Sequence, residues 1–322
     1  LKEVSDLVEY IFRRLLYGGI VLFIMVIFIF VVMRAIPGDV VMLQLADASN
    51  VSEEQIAALK TELGLDKSIA GQFMDWLKGV FQGDFGQSLW SSRSVSEMIA
   101  ARLPVTLELT FLSSIIAILI GIPIGVISAV KHNTMTDHLL RIVSIGGISI
   151  PNFWIGLVVL LFLSLVFNWI PPLGYQSFTA NPIVNMQQMF LPAFCLAITL
   201  CASIVRMTRS SILEIMHSDF IRTVRSKGVK ESIVVYKHSL RNSLISVITI
   251  IGLQIGTLLG GAVVIESIFS LPGLGNLIFE SVNSRDYPVV QASVLIFGAM
   301  FLLVNLLVDI TYGWIDPRIR NH

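Results

Sequence analysis

Six apolar runs constrain this chain more than any other feature. The first, Leu15 to Met33, runs nineteen residues without a charge, enough for a helix to cross a bilayer core of about 30 Å. Val105–Val130, Ile142–Phe167, Phe190–Val205, Leu244–Phe269 and Val289–Tyr312 follow. Only 14% of the residues are charged and mean hydropathy is +0.81, whereas soluble domains carry about a quarter charged residues. An all-α integral membrane protein with six transmembrane helices is expected. Net charge is zero, so no nucleic-acid partner is expected and the information lies in where the charges sit.

Those charges orient the spans. Arg13 and Arg14 hold the start of the first helix in the cytoplasm. No small-residue cleavage site follows it, so it reads as uncleaved. From Ala35 to Leu103 there are nine acids and five Lys/Arg, which places this stretch outside. The short basic turn from Lys131 to Arg141 faces inward. Trp169 through Met189 carries no charge and is placed outside, with Trp169 and Tyr175 at the interface. Arg318 and Arg320 return the tail to the cytoplasm. The division expected is 1–34 for the cytoplasmic start and first helix, 35–103 for an extracytoplasmic helical insert, 104–313 for a five-helix core including a cytoplasmic loop at 206–242, and 314–322 for the tail.

Local signals fill in the pieces. Ser52-Glu53-Glu54-Gln55 is a capping box and Gly64 a natural stop. Ser68 opens a second helix with Phe73, Trp76, Leu77, Val80 and Phe81 on one face. Ser94-Val95-Ser96-Glu97 repeats the capping signal, and Pro104 sets up the next span. A helical cap packed on the membrane part is the simpler reading of the insert; a platform for an external binding protein is compatible with it. Gly121, Pro123 and Gly125 loosen the second span, and Gly146-Gly147 and Pro151 break the third. Cys195 and Cys201 are six apart, roughly 9 Å along a helix, too far for a disulfide.

The longest basic run is Asp219–Asn242. Between Arg206 and Arg241 there are eight Lys/Arg against Glu214, Asp219 and Glu231. Its pattern reads as two short helices hinged at Gly228, the first capped by Asp219, the second opened by Glu231 and Ser232. Ile233, Val234, Val235 and Leu240 supply an apolar face. Any multispanning protein carries basic inner loops, but a polar, helix-prone one is also a docking surface for something soluble.

Other constellations carry less. Gly252, Gly256 and Gly260 recur every four residues, a spacing that lets helices approach closely, within the chain or toward a second protein. Glu108, Glu266 and Asp309 stand in or near apolar runs; near the span ends, structural hydrogen bonds or salt bridges are expected over a proton relay. His217-Ser218-Asp219 cannot assemble a triad from adjacent residues. His132 and His138 read as solvated, and no metal or catalytic site is read. No nucleotide-binding or zinc motif is found, so ATP and Mg, if used, belong to partners.

Several blocks together resemble a known family. Arg222-Thr223-Val224-Arg225-Ser226-Lys227-Gly228, then nine residues, then His238-Ser239-Leu240-Arg241-Asn242, looks like the coupling loop of ABC importer permeases. Where that loop usually begins Glu-Ala-Ala, Arg222, Thr223 and Val224 match the dipeptide, oligopeptide and nickel branch. Arg13-Arg14-Leu15, Pro37-Gly38-Asp39, Leu63 to Asp66, Gly83 to Ser88, Arg102 to Leu109, Glu266 to Gly275, Arg285 to Gln291, Asn305 to Asp309 and Asp316 to Arg320 match as well. The order resembles the first of two permease subunits, with a long insert after its first helix. This implies a type I importer permease in a bacterial or archaeal cell membrane. Its expected partners are a second homologous permease, two cytoplasmic ATPases, an extracytoplasmic substrate-binding protein and lipid. Peptide is the expected cargo, nickel or a metal chelate the alternative. A secondary transporter or an intramembrane enzyme is disfavoured by the missing mid-membrane charges and catalytic motifs. The resemblance assigns docking to Asp219, Arg222, Thr223, Arg225, Ser226, Lys227, Gly228, His238, Arg241 and Asn242.

Overall fold

A computed structural model describes residues 2–35, 61 and 66–315, with side chains over 13–35, 61 and 66–308. The capping box at 52–55, Gly64, the blocks at 37–39 and 316–320, most of 63–66 and the Asp309 side chain lie outside the described residues. Within them the helices are α1 (Lys2–Ala35), α2 (Ile69–Gln82), α3 (Val95–Val130), α4 (Met135–Ser149), α5 (Asn152–Phe167), α6 (Pro182–Met216), α7 (Asp219–Ser226), α8 (Glu231–Ile268), α9 (Leu274–Ser284) and α10 (Tyr287–Ile315). Five of these are long and apolar enough to cross a membrane, six if α4 and α5 count as one broken span.

The break read at Pro151 is present, but Gly146-Gly147 do not interrupt α4, which starts at Met135 rather than Ile142, runs to Ser149 and meets α5 at 103°. Pro151 is the cause. It pushes Ile150 into extended backbone (φ −91°, ψ 127°), which ends α4, and itself begins α5. Thr199 of α6 fixes the corner, its hydroxyl lying 2.5 Å from Asn152 Oδ1 and 3.3 Å from the Gly147 carbonyl.

The fourth and fifth spans are longer than their apolar runs. α6 begins inside the uncharged stretch because the Asn181 side chain accepts from the Val184 N–H and Pro182 occupies the first turn. It continues past Val205 to Met216, carrying Arg206 and Arg209 on helix. α8 begins at Glu231 rather than Leu244, and its Val234–Ser239 portion is a π-turn. α3 likewise starts at Val95 and runs through Pro104 and Pro123 without ending.

The chain divides into two compact units. The larger is centred on Val105–Gly275. Its core joins Leu109 and Ala117 of α3, Met189, Leu196 and Leu200 of α6, and Val247, Leu258 and Ile265 of α8. Cys195 is a free, fully buried core residue here. α3 crosses α6 closely at Gly121 and Gly125. A Cβ at Gly125 would stand 2.6 Å from Thr208 Cβ and 2.9 Å from the Val205 carbonyl; at Gly121 it would stand 2.8 Å from Ile204. These glycines seat α3 on α6.

The second unit draws on Leu16–Pro104 and Asn276–Met300. α2 is capped at both ends, by the Ser68 hydroxyl on the Gly71 N–H and by left-handed Gly83. Phe73, Trp76, Leu77 and Val80 are half-buried, but Phe81 is 85% exposed and leaves the expected face. Phe73 packs edge-on to Phe30 of α1. Arg34 lies over the Phe30 ring and donates twice to Gln72 Oε1. Two sequence blocks meet here: the Ser88 hydroxyl donates to Asp286 at 2.5 Å, and Trp90 Nε1 donates to the Ser284 carbonyl.

Candidate functional site

The segment 219–242 folds as a turn of helix, a reversal and the start of α8. His217 and Ser218 finish α6: the Ser218 hydroxyl donates to the Ile215 carbonyl at 2.6 Å, and His217 Nδ1 lies 2.6 Å from the Leu213 carbonyl. α7 then runs from Asp219 to Ser226. Ser218, not Asp219, holds the cap position and makes no side-chain cap bond; Asp219 sits in the first turn, where its charge suits the helix N-terminus. Gly228 follows with φ +74°, a conformation that costs an L side chain about 1–2 kcal/mol. Its N–H closes on the Arg225 carbonyl at 2.9 Å.

Apolar and polar residues of this segment part ways. Ile221 and Val234 are fully buried and Val235 nearly so. Val235 packs with Val126 and Ala129 of α3 and Ile212 of α6, and Leu240 joins that cluster; Ile233, expected to join it, is exposed. Asp219, Arg222, Thr223, Arg225, Ser226, Lys227, Gly228, Arg241 and Asn242 are all exposed, and His238 is half-buried. Arg225 bridges the reversal to Glu231 with two hydrogen bonds, at 2.5 and 3.2 Å, which raises its pKa further. Both side chains are about half exposed, so the pair contributes only about 0.2–1 kcal/mol. Phe220 and His238 meet edge-on at 5.9 Å across the two arms. Asn242 donates to the His238 carbonyl at 2.7 Å. The result is a basic surface held from beneath by apolar contacts.

The expected glycine stripe divides. Gly252 and Gly256 are buried and Gly260 exposed. A Cβ at Gly256 would meet the Phe301 ring at 2.6 Å, so this glycine serves packing within the chain, whereas nothing lies within 4 Å at Gly260. The carboxylates have structural partners. Glu108 accepts from the Tyr175 hydroxyl at 2.6 Å and from Asn185 Nδ2 at 2.7 Å. Fully buried Glu266 accepts from the Thr106 hydroxyl at 2.6 Å, and Thr106 in turn accepts from the Leu274 N–H. Outside the spans, burial first and then Glu108 push the Tyr175 phenol up to about 12.

The sequence reading missed Asp137. It lies in the stretch read as a basic turn, yet it is fully buried, takes two hydrogen bonds from Arg209 and one each from the Ser128 hydroxyl and the Asn133 N–H. A lone acid among basic residues just before an apolar helix was the available signal.

Residues 121–321 match the family described as binding-protein-dependent transport system inner membrane component, and residues 7–110 match its N-terminal membrane-component family. A Brucella abortus protein named as a peptide transport system permease is 40% identical over 310 residues, 96% of this chain and 98% of that one. The glutathione transport system permease protein GsiC of Salmonella typhimurium is 40% identical over 314 residues, 98% of this chain and 99% of that one. The inward-facing MetNI methionine ABC transporter aligns over 68% of this chain and 96% of the matched chain with a TM-score of 0.54 and 18% identity, a likeness of fold.

Proposed function

Since the chain belongs to the family of binding-protein-dependent transport system inner membrane components, we propose that it is the permease of an ATP-driven importer of di- or oligopeptides. Near full-length relatives named for peptide and glutathione transport support that cargo. In this reading a second, homologous permease completes the path, and an extracytoplasmic binding protein delivers the peptide to the side that carries the insert. Two cytoplasmic ATPases bind ATP and Mg and hydrolyse the nucleotide; this chain supplies neither site. Both termini lie in the cytoplasm of a bacterial or archaeal cell.

The observation that carries the coupling role is the opposite fate of side chains in 219–242. Val235 and Leu240 anchor the segment to α3 and α6 and Ile221 and Val234 are buried, while Arg222, Arg225 and Lys227 face outward. An ATPase gripping α7 therefore pulls on the ends of the spans and not on a slack loop. Closure of the ATPase pair moves this surface as a rigid body and shifts the permease between its two access states. The driving energy is the differential binding of ATP and loaded binding protein to those states. The test is ATP hydrolysis by the reconstituted complex. Arg222→Glu/Arg225→Glu is expected to abolish peptide-stimulated hydrolysis while the chain still inserts. A chain that binds no ATPase and moves peptide alone on an ion gradient overturns the reading.

A further inference from the structure

A cleft of about 290 Å³ opens between α4 and α6. Three guanidiniums line it, Arg141, Arg206 and Arg209, together with Ile145, Ile148 and Val205. Arg209 is spent on Asp137. Arg206 is exposed and has no acidic partner among the described residues, and Arg141 reaches only the His138 ring. Two positive charges without an acidic partner among the described residues thus share a cleft whose remaining wall is Ile145, Ile148 and Val205 with three serines, Ser144, Ser149 and Ser210. On the α4 side of the cleft Ile145 (62%) and Ile148 (37%) are exposed, an apolar strip within the lining itself.

By the charge rule Arg141 and Arg206 stand toward the cytoplasmic ends of their helices, where lipid head groups lie and an anionic one can meet them. A free anion would satisfy the arginines and leave the strip unused. A phospholipid satisfies both, since guanidinium binds phosphate through paired hydrogen bonds and basic pockets between spans take acidic head groups. We propose that this cleft holds the phosphate of an anionic phospholipid, with its acyl chains along the exposed face of α4. The proposal is independent of what the protein transports.

Native mass spectrometry of the full-length chain, released from detergent containing phosphatidylglycerol or phosphatidylcholine, tests it. Wild type is expected to retain phosphatidylglycerol and not phosphatidylcholine. Arg141→Gln/Arg206→Gln is expected to lose that retention roughly thirtyfold, from about fivefold per basic residue. Arg141→Lys/Arg206→Lys keeps the charge and is expected to retain most of it, which separates lost binding from lost folding. Equal retention by the Gln variant overturns the proposal, as does equal binding of the two lipids. Heat protection by inorganic phosphate without lipid retention also overturns it and assigns the cleft to a free anion.

Discussion

Arg209 holds Asp137 with two nitrogens, Nε at 2.7 Å and an Nη at 2.8 Å, across 72 residues of sequence. The carboxylate is fully buried and takes four hydrogen bonds in all, so it joins the ends of α3, α4 and α6 at one point. Removing one partner leaves a buried charge alone, which costs about 3–5 kcal/mol. Arg209→Met is expected to lower the thermal midpoint of the detergent-purified protein sharply, and Asp137→Asn added to it to recover a large part of the loss. A single Arg209→Met variant that melts with wild type shows the pair to be dispensable.

At Gly228 the cost comes from the backbone alone. No atom lies within 4 Å of a Cβ placed there, but φ is +74°. Gly228→Ala should therefore cost about 1–2 kcal/mol locally and reduce, without abolishing, peptide-stimulated ATP hydrolysis. Gly228→Pro should abolish it, because proline fixes φ near −65° and deletes the N–H that bonds Arg225. Full stimulation in the proline variant would show that the reversal is not needed for coupling.

Gly125 and Gly260 make opposite predictions. An added methyl at Gly125 collides with Thr208 Cβ and the Val205 carbonyl, so Gly125→Ala should separate α3 from α6 and cost about 1–3 kcal/mol. At Gly260 the same change enters open space on a helix, where alanine is favoured by up to about 1 kcal/mol. Thermal midpoints of the two variants of the isolated chain should move in opposite directions. Loss of stability at Gly260→Ala would mean that another part of this chain covers it.

Tyr175 supplies the pH dependence. Its phenol is raised to about 12 by burial and by the hydrogen bond to Glu108. A raised folded pKa stabilises the protonated form, so this contribution is whole below the ordinary value of about 10 and is lost as pH rises through about 12. In a near-ultraviolet titration one tyrosine should ionise well after the exposed ones, and Tyr175→Phe should remove that late step. The Phe variant should also lose about 1–3 kcal/mol, since a partner of Glu108 is gone.

Much of this was legible because membrane helices and docking surfaces write their constraints locally. Nineteen uncharged residues at Leu15–Met33 need no tertiary information to be read as a span. In 219–242 Val234, Val235 and Leu240 were legible as an apolar face beneath the basic residues, whereas Ile233 is exposed and the buried Ile221 was not singled out. The rest depended on partners distant in sequence. Pro151 announced a break, but its angle rests on Thr199 and Asn152, and α6 extends past Val205 because Arg209 finds Asp137. The glycine repeat at 252, 256 and 260 looked uniform, yet only the fold reveals that Phe301 covers Gly256 and that no described residue covers Gly260.

The π-turn at Val234–Ser239 sets an angular phase. Each α-helical residue advances the chain by about 100°, and a π-turn takes up one residue more than an α-turn. Lys230, Glu231 and α7 are thereby rotated by about that angle against the face that Leu240–Ile268 shows to its neighbours. The two registers, of the exposed surface and of the membrane half, are set separately. A one-residue deletion within 234–239 would turn the first while leaving the second untouched.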